Sequence, residues 1–376
     1  MPRRRRLYIL IAIIIAFAVY YLNGSVHTSE REGLSRSSSW QEPPYKTPIP
    51  EKYYGTANST QRASAVIVIL ARNRELREVL ASMARFERRF NRNYGYPYVF
   101  LNEVLFTDEF KEQVSTATSA QVQFGLIPHE HWFQPSWIDE SKASAARQAM
   151  GPLFYGHSVS YRNMCRFQSG FFFRHPLLQQ YKYYWRVEPD VQFYCDIEFD
   201  PFLFMEGEDK KYAFTVALPE NEKTIKGLWP AVLEFKETYP HLISPDNAFS
   251  MLVDRQRDTY NGCHFWSNFE IASFDLWRSD AYLKFFDFMD SKGGFYYSRW
   301  GDAILHTFGA ALFLRKDQIH FFNEIGYRHV PITHCPSGPS HSRGRCECNV
   351  TDSFDRHSWS CLDKYDGLFI PDGSSP

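Results

Sequence analysis

The chain has 376 residues, enough for one large folded core or two smaller ones. Aromatic residues make up 17% of it, which is far from the composition of disordered proteins. Its 42 Lys and Arg against 43 Asp and Glu give a formal net charge of −1, so the overall charge does not favour nucleic acid and we expect no nucleic-acid partner.

The first predicted element is a membrane anchor. The basic segment MPRRRR, residues 1–6, precedes an uncharged apolar segment, Leu7–Leu22. A helix of that length spans about 24 Å, which suits a thin membrane of the early secretory pathway. Because basic residues remain on the cytoplasmic side, we expect a cytoplasmic tail (1–6), a transmembrane signal anchor (7–22) and a lumenal remainder. The alternative is a cleaved signal peptide, but no small-residue cleavage site follows the apolar segment.

A polar segment, residues 23–62, follows the anchor. It is rich in serine, proline and charged residues and has no apolar period, so we interpret it as a lumenal stem. Asn58 and Asn349 each begin an Asn-x-Ser/Thr motif and are predicted N-glycosylation sites. Asn23 begins a third such motif, close to the membrane.

The seven cysteines indicate disulfides. In an oxidising lumen some of them should pair, and because their number is odd at least one is free or intermolecular. Four of them, Cys335, Cys346, Cys348 and Cys361, lie close enough in sequence to be mistaken for a zinc site. Their spacing and the compartment favour disulfides, and the pairing stays open.

The globular part begins with a predicted βαβ unit. The β-branched run Ala65–Leu70 predicts a buried strand. An apolar stripe of helical period from Leu76 to Phe90 predicts the helix, and residues 96–103 predict the second strand.

Later segments continue this alternation of strands and helices. Predicted helices cover residues 161–173, 224–239, 280–292 and 300–314. Predicted strands cover residues 183–188, 212–218, 267–277 and 318–322. Ser279 should cap the helix at 280–292 and Gly293 should end it. We therefore predict one α/β domain within residues 63–376, ending in a cysteine-bearing tail.

An acidic stretch, RVEPDVQFYCDIEFD, occupies residues 186–200. From Trp185 onward its apolar and polar residues alternate, which is the period of a strand. Pro189 should interrupt the pairing, so Glu188 and Asp190 fall where a strand stops. The later acids, Asp196, Glu198 and Asp200, are interpreted as a solvated strand face.

Several polar residues occupy positions where chemistry is expected. Arg72 ends the first strand, where a nucleotide phosphate or base commonly binds; a surface arginine is the alternative. Glu270 interrupts an aromatic strand, so it is either functional or part of a structural ion pair. Asp302 opens a helix and has N-capping as its alternative role. His329 is a candidate metal ligand, although a single histidine usually is not one.

Five segments carry a resemblance to a known family. They are SYRNMCRFQSGFFFRHPLL, YYWRVEPDVQFYCDIEFDPF, HFWSNFEIASFDLWRS, GGFYYSRWGDAILHTFGAALFL and IHFFNEIGYRHVPITHCP. Together they resemble the fungal α-1,2-mannosyltransferases of glycosyltransferase family 15, from about Ala65 to Pro336. The resemblance implies a GT-A-like nucleotide-sugar-binding fold with a mixed central sheet, a GDP-mannose donor, a mannose-terminated glycan acceptor and Mn²⁺.

The resemblance also implies roles for individual residues. Glu188 and His329 match the metal ligands, and Glu270 matches the carboxylate proposed as the nucleophile. Arg186 and Asp302 match further site positions, which we assign with Arg72 to the donor, and Tyr161 matches an acceptor contact. The family often has glycine after Glu-Pro, where this chain has Asp190.

The implied enzyme is a retaining mannosyltransferase of the Golgi membrane that forms an α-1,2 linkage on O-linked or N-linked glycans. Double displacement and front-face substitution remain open as mechanisms. A catalytically silent mannan-binding homologue and a glycoside hydrolase, which also uses paired carboxylates, are the alternatives.

Overall fold

A computed structural model describes residues 48–254 and 256–370. The predicted anchor Leu7–Leu22, residues 1–6, Asn23 and most of the stem lie outside the described residues. Within the described ranges, none of the helices has the length and apolar character needed to cross a membrane.

The described chain alternates strands and helices. The strands are β1 (Ala65–Leu70), β2 (Tyr98–Asn102), β3 (Val122–Leu126), β4 (Tyr183–Arg186), β5 (Gln192–Phe193), β6 (Tyr212–Phe214), β7 (Ala217–Pro219), β8 (Val253–Asp254), β9 (Thr259–Tyr260), β10 (Cys263–Phe265), β11 (Glu270–Ser273), β12 (Ile319–Phe321), β13 (Tyr327–His329) and β14 (Ile332–His334). The α-helices are α1 (Leu76–Phe86), α2 (Arg92–Tyr94), α3 (Asp108–Thr116), α4 (His129–Trp132), α5 (Glu140–Ala149), α6 (Val159–Gly170), α7 (Pro201–Gly207), α8 (Leu228–Thr238), α9 (Phe274–Arg278), α10 (Asp280–Ser291), α11 (Gly294–Tyr297), α12 (Asp302–Phe313), α13 (Gly338–Arg343) and α14 (Leu362–Asp366).

The central sheet has seven strands in the order β12-β6-β11-β4-β1-β2-β3. All of its strands except β11 lie in parallel sets, β4-β1-β2-β3 on one side and β6-β12 on the other. Between these sets β11 runs antiparallel to both β4 and β6. The sheet is therefore mixed, as the family resemblance implied, and β11 begins at the edge where β4 ends.

Apolar cores cover both faces of this sheet. In β1, Val66 and Val68 belong to one buried cluster, whereas Ile67 and Ile69 belong to the other. This alternation follows from the two-residue period of a strand. Because both faces are buried, β1 reads as a continuous apolar run rather than an alternating one.

Several predicted boundaries are confirmed. Ser279 accepts a hydrogen bond from the backbone N–H of Tyr282 and caps α10, and Gly293 follows that helix with φ +68°. The helical stripe from Leu76 to Phe90 continues past α1 as a π-helical turn, Glu87–Asn91.

The strand stops before Pro189, as predicted, but the interpretation of the later acids as a solvated strand face is wrong for Asp196 and Asp200. Regular pairing stops at Arg186 and resumes only in the two-residue β5. Asp200 is fully buried, accepts a 2.7 Å hydrogen bond from the Tyr96 hydroxyl, and caps α7. Asp196 pairs with Arg89 at 2.7 Å, so only Glu198, largely exposed, fits the solvated interpretation.

Two other predicted strands are divided in the structure. Residues 212–218 form β6 in the central sheet and β7 in a separate two-stranded sheet with β10. In residues 267–277, only Glu270–Ser273 is strand, because Ser273 accepts a hydrogen bond from Asp275 N–H and starts α9.

Three disulfides attach the C-terminal tail to the α/β body. They are Cys195–Cys346, Cys263–Cys361 and Cys335–Cys348. Cys165 is free and buried, and burial raises the pKa of its thiol well above the ordinary value. The predictions that disulfides form and that at least one cysteine stays unpaired are confirmed.

Part of the predicted stem packs against the body. Ile49 and Tyr53 are buried in the core cluster that covers one face of the sheet. The Tyr53 hydroxyl donates a 2.9 Å hydrogen bond to Glu208, and Tyr54 forms an isolated bridge with Phe199. Packed structure therefore begins before residue 63, the predicted start of the catalytic domain.

Candidate active site

The site is organised by the antiparallel pairing of β4 and β11. Glu270, the first residue of β11, lies directly opposite Arg186, the last residue of β4. Side chains of directly opposed residues point to the same face of a sheet, and Tyr184 shares that face because it is two residues from Arg186. The pairing brings the predicted Glu270 and Arg186 together at the end of β4.

Arg186 connects two of the predicted carboxylates. Its Nε donates to Glu188 at 3.0 Å, and its Nη1 donates to Asp302 at 2.5 Å and to Ser267 Oγ at 3.2 Å. Ser267 in turn donates to Asp302 at 2.9 Å. Burial lowers the pKa of Arg186, but Glu188 and Asp302 outweigh it and raise the pKa well above the ordinary value, so the guanidinium stays charged.

Asp302 is not the helix cap that was considered as its alternative role. Gly301 occupies the N-cap position of α12, and the Asp302 carboxylate is turned toward Arg186 and Ser267. Burial raises the pKa of Asp302, but the opposing charge of Arg186 lowers it below the ordinary value, so the carboxylate is ionised at neutral pH.

Glu270 is fully enclosed and hydrogen-bonded through both oxygens. Oε1 accepts from the Tyr184 hydroxyl, and Oε2 lies 2.8 Å from His306 Nδ1. Trp277 donates to the Tyr184 hydroxyl at 2.8 Å and stacks on the His306 ring with centroids 4.3 Å apart. The carboxylate is therefore held in one orientation by aromatic partners.

Sequence reasoning missed the residues that hold Glu270 and Asp302: Tyr184, Ser267, Trp277 and His306. A signal was present for His306, which follows Asp302 by four residues in α12 and so lies on the same helix face. No comparable signal marks Ser267 or Trp277, which reach the site through tertiary contacts.

A three-stranded sheet, β14-β13-β5, places His329 near the end of β4. After Arg186 the chain turns and returns as β5, which pairs with β13, the strand that ends in His329. The pairing aligns Gln192 with Arg328, so His329 lies next to the turn that follows Glu188. Trp266, adjacent to Ser267, packs edge-on against the His329 ring with centroids 5.3 Å apart.

Glu188 and His329 fit a divalent cation. The Nδ1 atom of His329 is buried and has no hydrogen-bond partner within the described chain, and such atoms are uncommon unless a ligand completes them. Glu188 keeps 26% of its side chain exposed while one oxygen contacts Arg186. A carboxylate oxygen and an imidazole nitrogen are a donor set that Mn²⁺ accepts.

One other cluster among the described residues has ligand spacing, Cys335, His341 and Cys348. Cys335 and Cys348 form a disulfide, which removes their thiolates as ligands. This group is not a zinc site, in agreement with the sequence interpretation.

The turn after Glu188 contains the departure from the family pattern. Asp190 has φ +65°, a left-handed backbone conformation that favours glycine. The same geometry would suit the glycine that the family resemblance implies at this position. Its side chain is exposed.

Arg72, which follows β1 at the same sheet edge, contacts the start of α6, the helix that carries Tyr161. Arg72 Nη2 donates a 2.6 Å hydrogen bond to the hydroxyl of Ser160, which precedes Tyr161. The guanidinium of Arg299 lies 5.2 Å from the Tyr161 ring centroid, and Arg299 is three residues before Asp302. Neither Arg72 nor Tyr161 is among the hydrogen-bond partners of Glu270, which are Tyr184 and His306.

Of the two predicted glycosylation sites, only Asn349 has a side chain within the described structure. Asn349 is exposed, and its side chain accepts a hydrogen bond from Thr351 N–H. Asn58 ends a short 3₁₀ helix, Thr56–Asn58, and its side chain lies outside the described structure.

A profile of the family described as glycolipid 2-alpha-mannosyltransferase matches residues 28–368. This chain belongs to that family. Among curated members, it is 48% identical to the O-glycoside alpha-1,2-mannosyltransferase omh1 of Schizosaccharomyces pombe over 307 residues, which cover 81% of this chain and 78% of omh1.

Two solved structures resemble most of the chain. Ktr4p of Saccharomyces cerevisiae in complex with GDP has a TM-score of 0.80 and 36% identity, covering 89% of this chain and 88% of Ktr4p. Core-mannan synthase A of Aspergillus fumigatus, in an Mn/GDP form, has a TM-score of 0.77 and 34% identity, covering 91% of this chain and 92% of the synthase. The predicted GT-A-like α/β fold with a mixed sheet is confirmed.

Proposed function

We propose that this protein is a retaining α-1,2-mannosyltransferase that transfers mannose from GDP-mannose to a mannose-terminated glycan, with Mn²⁺ as cofactor. Family membership supports the reaction class. The observation that carries the proposal is the arrangement around Arg186, which holds Glu188 and Asp302 and lies opposite Glu270.

Glu188 and His329 are the residues that would hold the metal. When bound, Mn²⁺ neutralises the charge that develops on the diphosphate leaving group. Arg186 keeps one Glu188 oxygen oriented, and Trp266 packs edge-on against the His329 ring. These contacts orient the metal ligands in advance. A homologous structure in an Mn/GDP form supports the choice of ion.

Glu270 is proposed as the nucleophile or as the charge that stabilises the oxocarbenium-like centre. Retention requires either two inversions through a covalent intermediate or substitution at one face. Glu270 is fully enclosed in this structure, so a covalent role requires its carboxylate to become exposed to the donor. The stabilising role uses the buried charge where it is, in a water-poor environment that strengthens it.

A transfer assay tests the proposed function. The protein is incubated with GDP-mannose, methyl α-mannoside and Mn²⁺, and the product is analysed by NMR. We expect a disaccharide with an α-1,2 linkage and release of GDP. Binding of mannan without turnover would indicate a silent homologue, and consumption of a free glycan without GDP-mannose would indicate a hydrolase.

The metal assignment is tested by chelation and by substitution. EDTA should abolish transfer and Mn²⁺ should restore it. Glu188→Ala and His329→Ala should each raise the Mn²⁺ concentration needed for half-maximal GDP binding by at least about tenfold. His341→Ala is the control, because His341 lies beside a disulfide rather than in this site. Unchanged Mn²⁺ titrations in both site variants would remove these residues from the metal.

We also propose that the protein is a single-pass type II protein of the Golgi membrane with its catalytic domain in the lumen. The basic residues before Leu7–Leu22 support this orientation. In sealed microsomes, a C-terminal tag should resist protease until detergent is added. Digestion of the tag without detergent would overturn the proposed topology.

A further inference from the structure

The His306 ring lies between two hydrogen-bond acceptors in the buried part of the site. Its Nδ1 is 2.8 Å from Glu270 Oε2, and its Nε2 is 3.0 Å from the backbone carbonyl oxygen of Gln168. A carbonyl oxygen only accepts, so Nε2 must carry a proton. In a neutral ring Nδ1 would then be unprotonated and would face the lone pairs of the carboxylate. The pair of His306 and Glu270 therefore holds one proton more than a neutral ring and an ionised carboxylate would hold.

The surroundings of the pair favour this proton on the ring. Trp277 donates to the Tyr184 hydroxyl, which leaves the Tyr184 proton to be donated to Glu270 Oε1. A hydrogen bond donated to a carboxylate favours its ionised form. The Trp277 ring stacks on the His306 ring with the planes 26° apart, a position in which an aromatic face attracts a cation. Asp302 lies one helical turn before His306 in α12, and its negative charge also favours a charged ring.

Glu270 depends on His306 for its counter-charge. Arg186 faces Glu270 across the strand pair, but the hydrogen bonds of its guanidinium go to Glu188, Asp302 and Ser267. Among the residues that the structure describes, the ion pairs of Glu270 are with His306 alone. A buried carboxylate without a paired cation is costly, so the ring is the group that compensates this charge.

The other titratable groups around the pair and Asp302 are kept neutral by burial. Burial raises the pKa well above the ordinary value in four of them, Tyr184, Tyr212, Tyr282 and Cys165. It lowers the pKa of a fifth, His264. None of these groups supplies a positive charge to Glu270.

We propose that His306 is a positioning residue that carries the proton as an imidazolium and keeps Glu270 ionised and fixed in orientation. Glu270 then has its negative charge whether it acts as the nucleophile or as the stabilising charge. The protonation state follows from the contacts of the ring, and its consequence for turnover rests on the proposed function.

Nitrogen NMR of the full-length chain, labelled with ¹⁵N in its histidine rings, measures the protonation state directly. The two nitrogens of an imidazolium have similar chemical shifts, whereas those of a neutral ring are widely separated. We expect the His306 signals, assigned by their loss in His306→Asn or His306→Gln, to be those of an imidazolium from about pH 6 to about pH 8. His320 is the reference for a neutral ring, because burial lowers its pKa to about 3. A neutral His306 ring at pH 7 would overturn the proposal and leave the proposed function intact.

The turnover of His306→Asn tests the consequence for catalysis. The asparagine Nδ2 replaces Nδ1 as a donor to Glu270 but carries no charge. Burial favours the protonated form of a carboxylate without a counter-charge, so part of Glu270 should be protonated at neutral pH in this variant. The ratio of variant to unaltered turnover should therefore rise with pH, by up to about tenfold per pH unit, while the dissociation constant of GDP stays unchanged.

His334→Asn is the matched control. His334 is a second buried histidine held between two acceptors, Asp355 at 2.9 Å and the carbonyl of Asn323 at 3.2 Å, and it lies outside the site. Its substitution should lower stability and leave the turnover ratio independent of pH. If His306→Asn lowered turnover by the same factor at every pH, His306 would only shape the site and the proposal would be overturned. Absence of transfer by the unaltered chain would overturn the proposed function instead, and the NMR result would still decide the protonation state.

Discussion

Arg186 determines the electrostatics of the site more than any single carboxylate does. It is buried, and its guanidinium compensates the charges of Glu188 and Asp302. Removing one partner of a buried ion pair lowers the free energy of unfolding by more than the intact pair adds to it, because the remaining charge stays buried without compensation.

Arg186→Met should therefore destabilise the protein by about 3–5 kcal/mol at pH 7. In the unaltered protein the pKa of Asp302 is lower in the folded state than in the unfolded state. The ionised carboxylate therefore stabilises the fold at pH values above its unfolded-state pKa, and this stabilisation is lost as the pH falls through its folded-state pKa. Without Arg186, burial would raise the pKa of Asp302, and acidification would relieve part of the destabilisation. Denaturant unfolding should show a smaller difference from the unaltered protein at pH 5 than at pH 7.

Arg166→Met is the matched control, since it removes a buried arginine paired with Asp290 instead. It should lower stability but keep GDP binding, which Arg186→Met should lose. If the stability lost in Arg186→Met were larger at pH 5 than at pH 7, Asp302 would not be the charge that Arg186 compensates.

Glu270→Gln keeps the shape of the side chain and removes its charge. Its oxygen can still accept from Tyr184, so the fold should be retained while turnover falls at least about 10³-fold. Glu87→Gln changes another buried carboxylate outside the site and should leave turnover unchanged. Turnover of Glu270→Gln within tenfold of the unaltered protein would exclude Glu270 as nucleophile and as essential stabiliser.

At the scale of elements, strands and helices with strong local signals were predictable. The β-branched run of β1 and the Ser279 cap of α10 are local features, and both are confirmed. The division of residues 212–218 between two sheets is set by tertiary pairing, so no local pattern reveals it. The same limit explains Asp200, whose burial depends on Tyr96, a residue distant in sequence.

The sequence indicated the charged residues of the candidate site but neither their contacts nor the partners that hold them, such as Tyr184 and His306. Glu188 and Glu270 stand out because charge within or beside an aromatic strand is unusual. That Arg186 faces Glu270 depends on the antiparallel register of β11 against β4, which a single sequence does not specify.

The disulfides should contribute unequally to stability. Cys195–Cys346 closes 151 residues, whereas Cys335–Cys348 closes 13. A longer closed loop restricts the unfolded chain more, so a Cys195→Ser/Cys346→Ser variant should lose about 2 kcal/mol more than a Cys335→Ser/Cys348→Ser variant. Guanidinium unfolding of both double variants measures the difference, and equal losses would contradict the entropic explanation.

At the scale of the whole molecule, the described chain from residue 48 is one packed unit whose N-terminal segment lies on the body. Ile49 and Tyr53 fill the core between α7 and the sheet, and Arg62 donates to the carbonyls of Ala57 and Tyr94. None of these residues belongs to the site, so their role is stability.

A chain that starts at Gln61 should therefore be less stable than one that starts at Pro48, by about 3–5 kcal/mol, because two buried apolar side chains are lost. Turnover per folded molecule should be equal in the two. Thermal unfolding and a transfer assay on both forms measure this, and identical melting temperatures would show that the segment contributes nothing to the fold.

The tail disulfides also impose an order on biosynthesis. Cys195 and Cys263 leave the ribosome long before Cys346 and Cys361, their partners near the end of the chain. At about 5–20 residues per second, Cys195 waits on the order of 10 s for its partner to be synthesised. During that interval Cys195 and Cys263 have no native partner in the synthesised part of the chain, and Cys165 is a third thiol with which they could mispair. Correct pairing is therefore a post-translational event, and an oxidoreductase that delays or corrects early pairing would determine the yield of native enzyme.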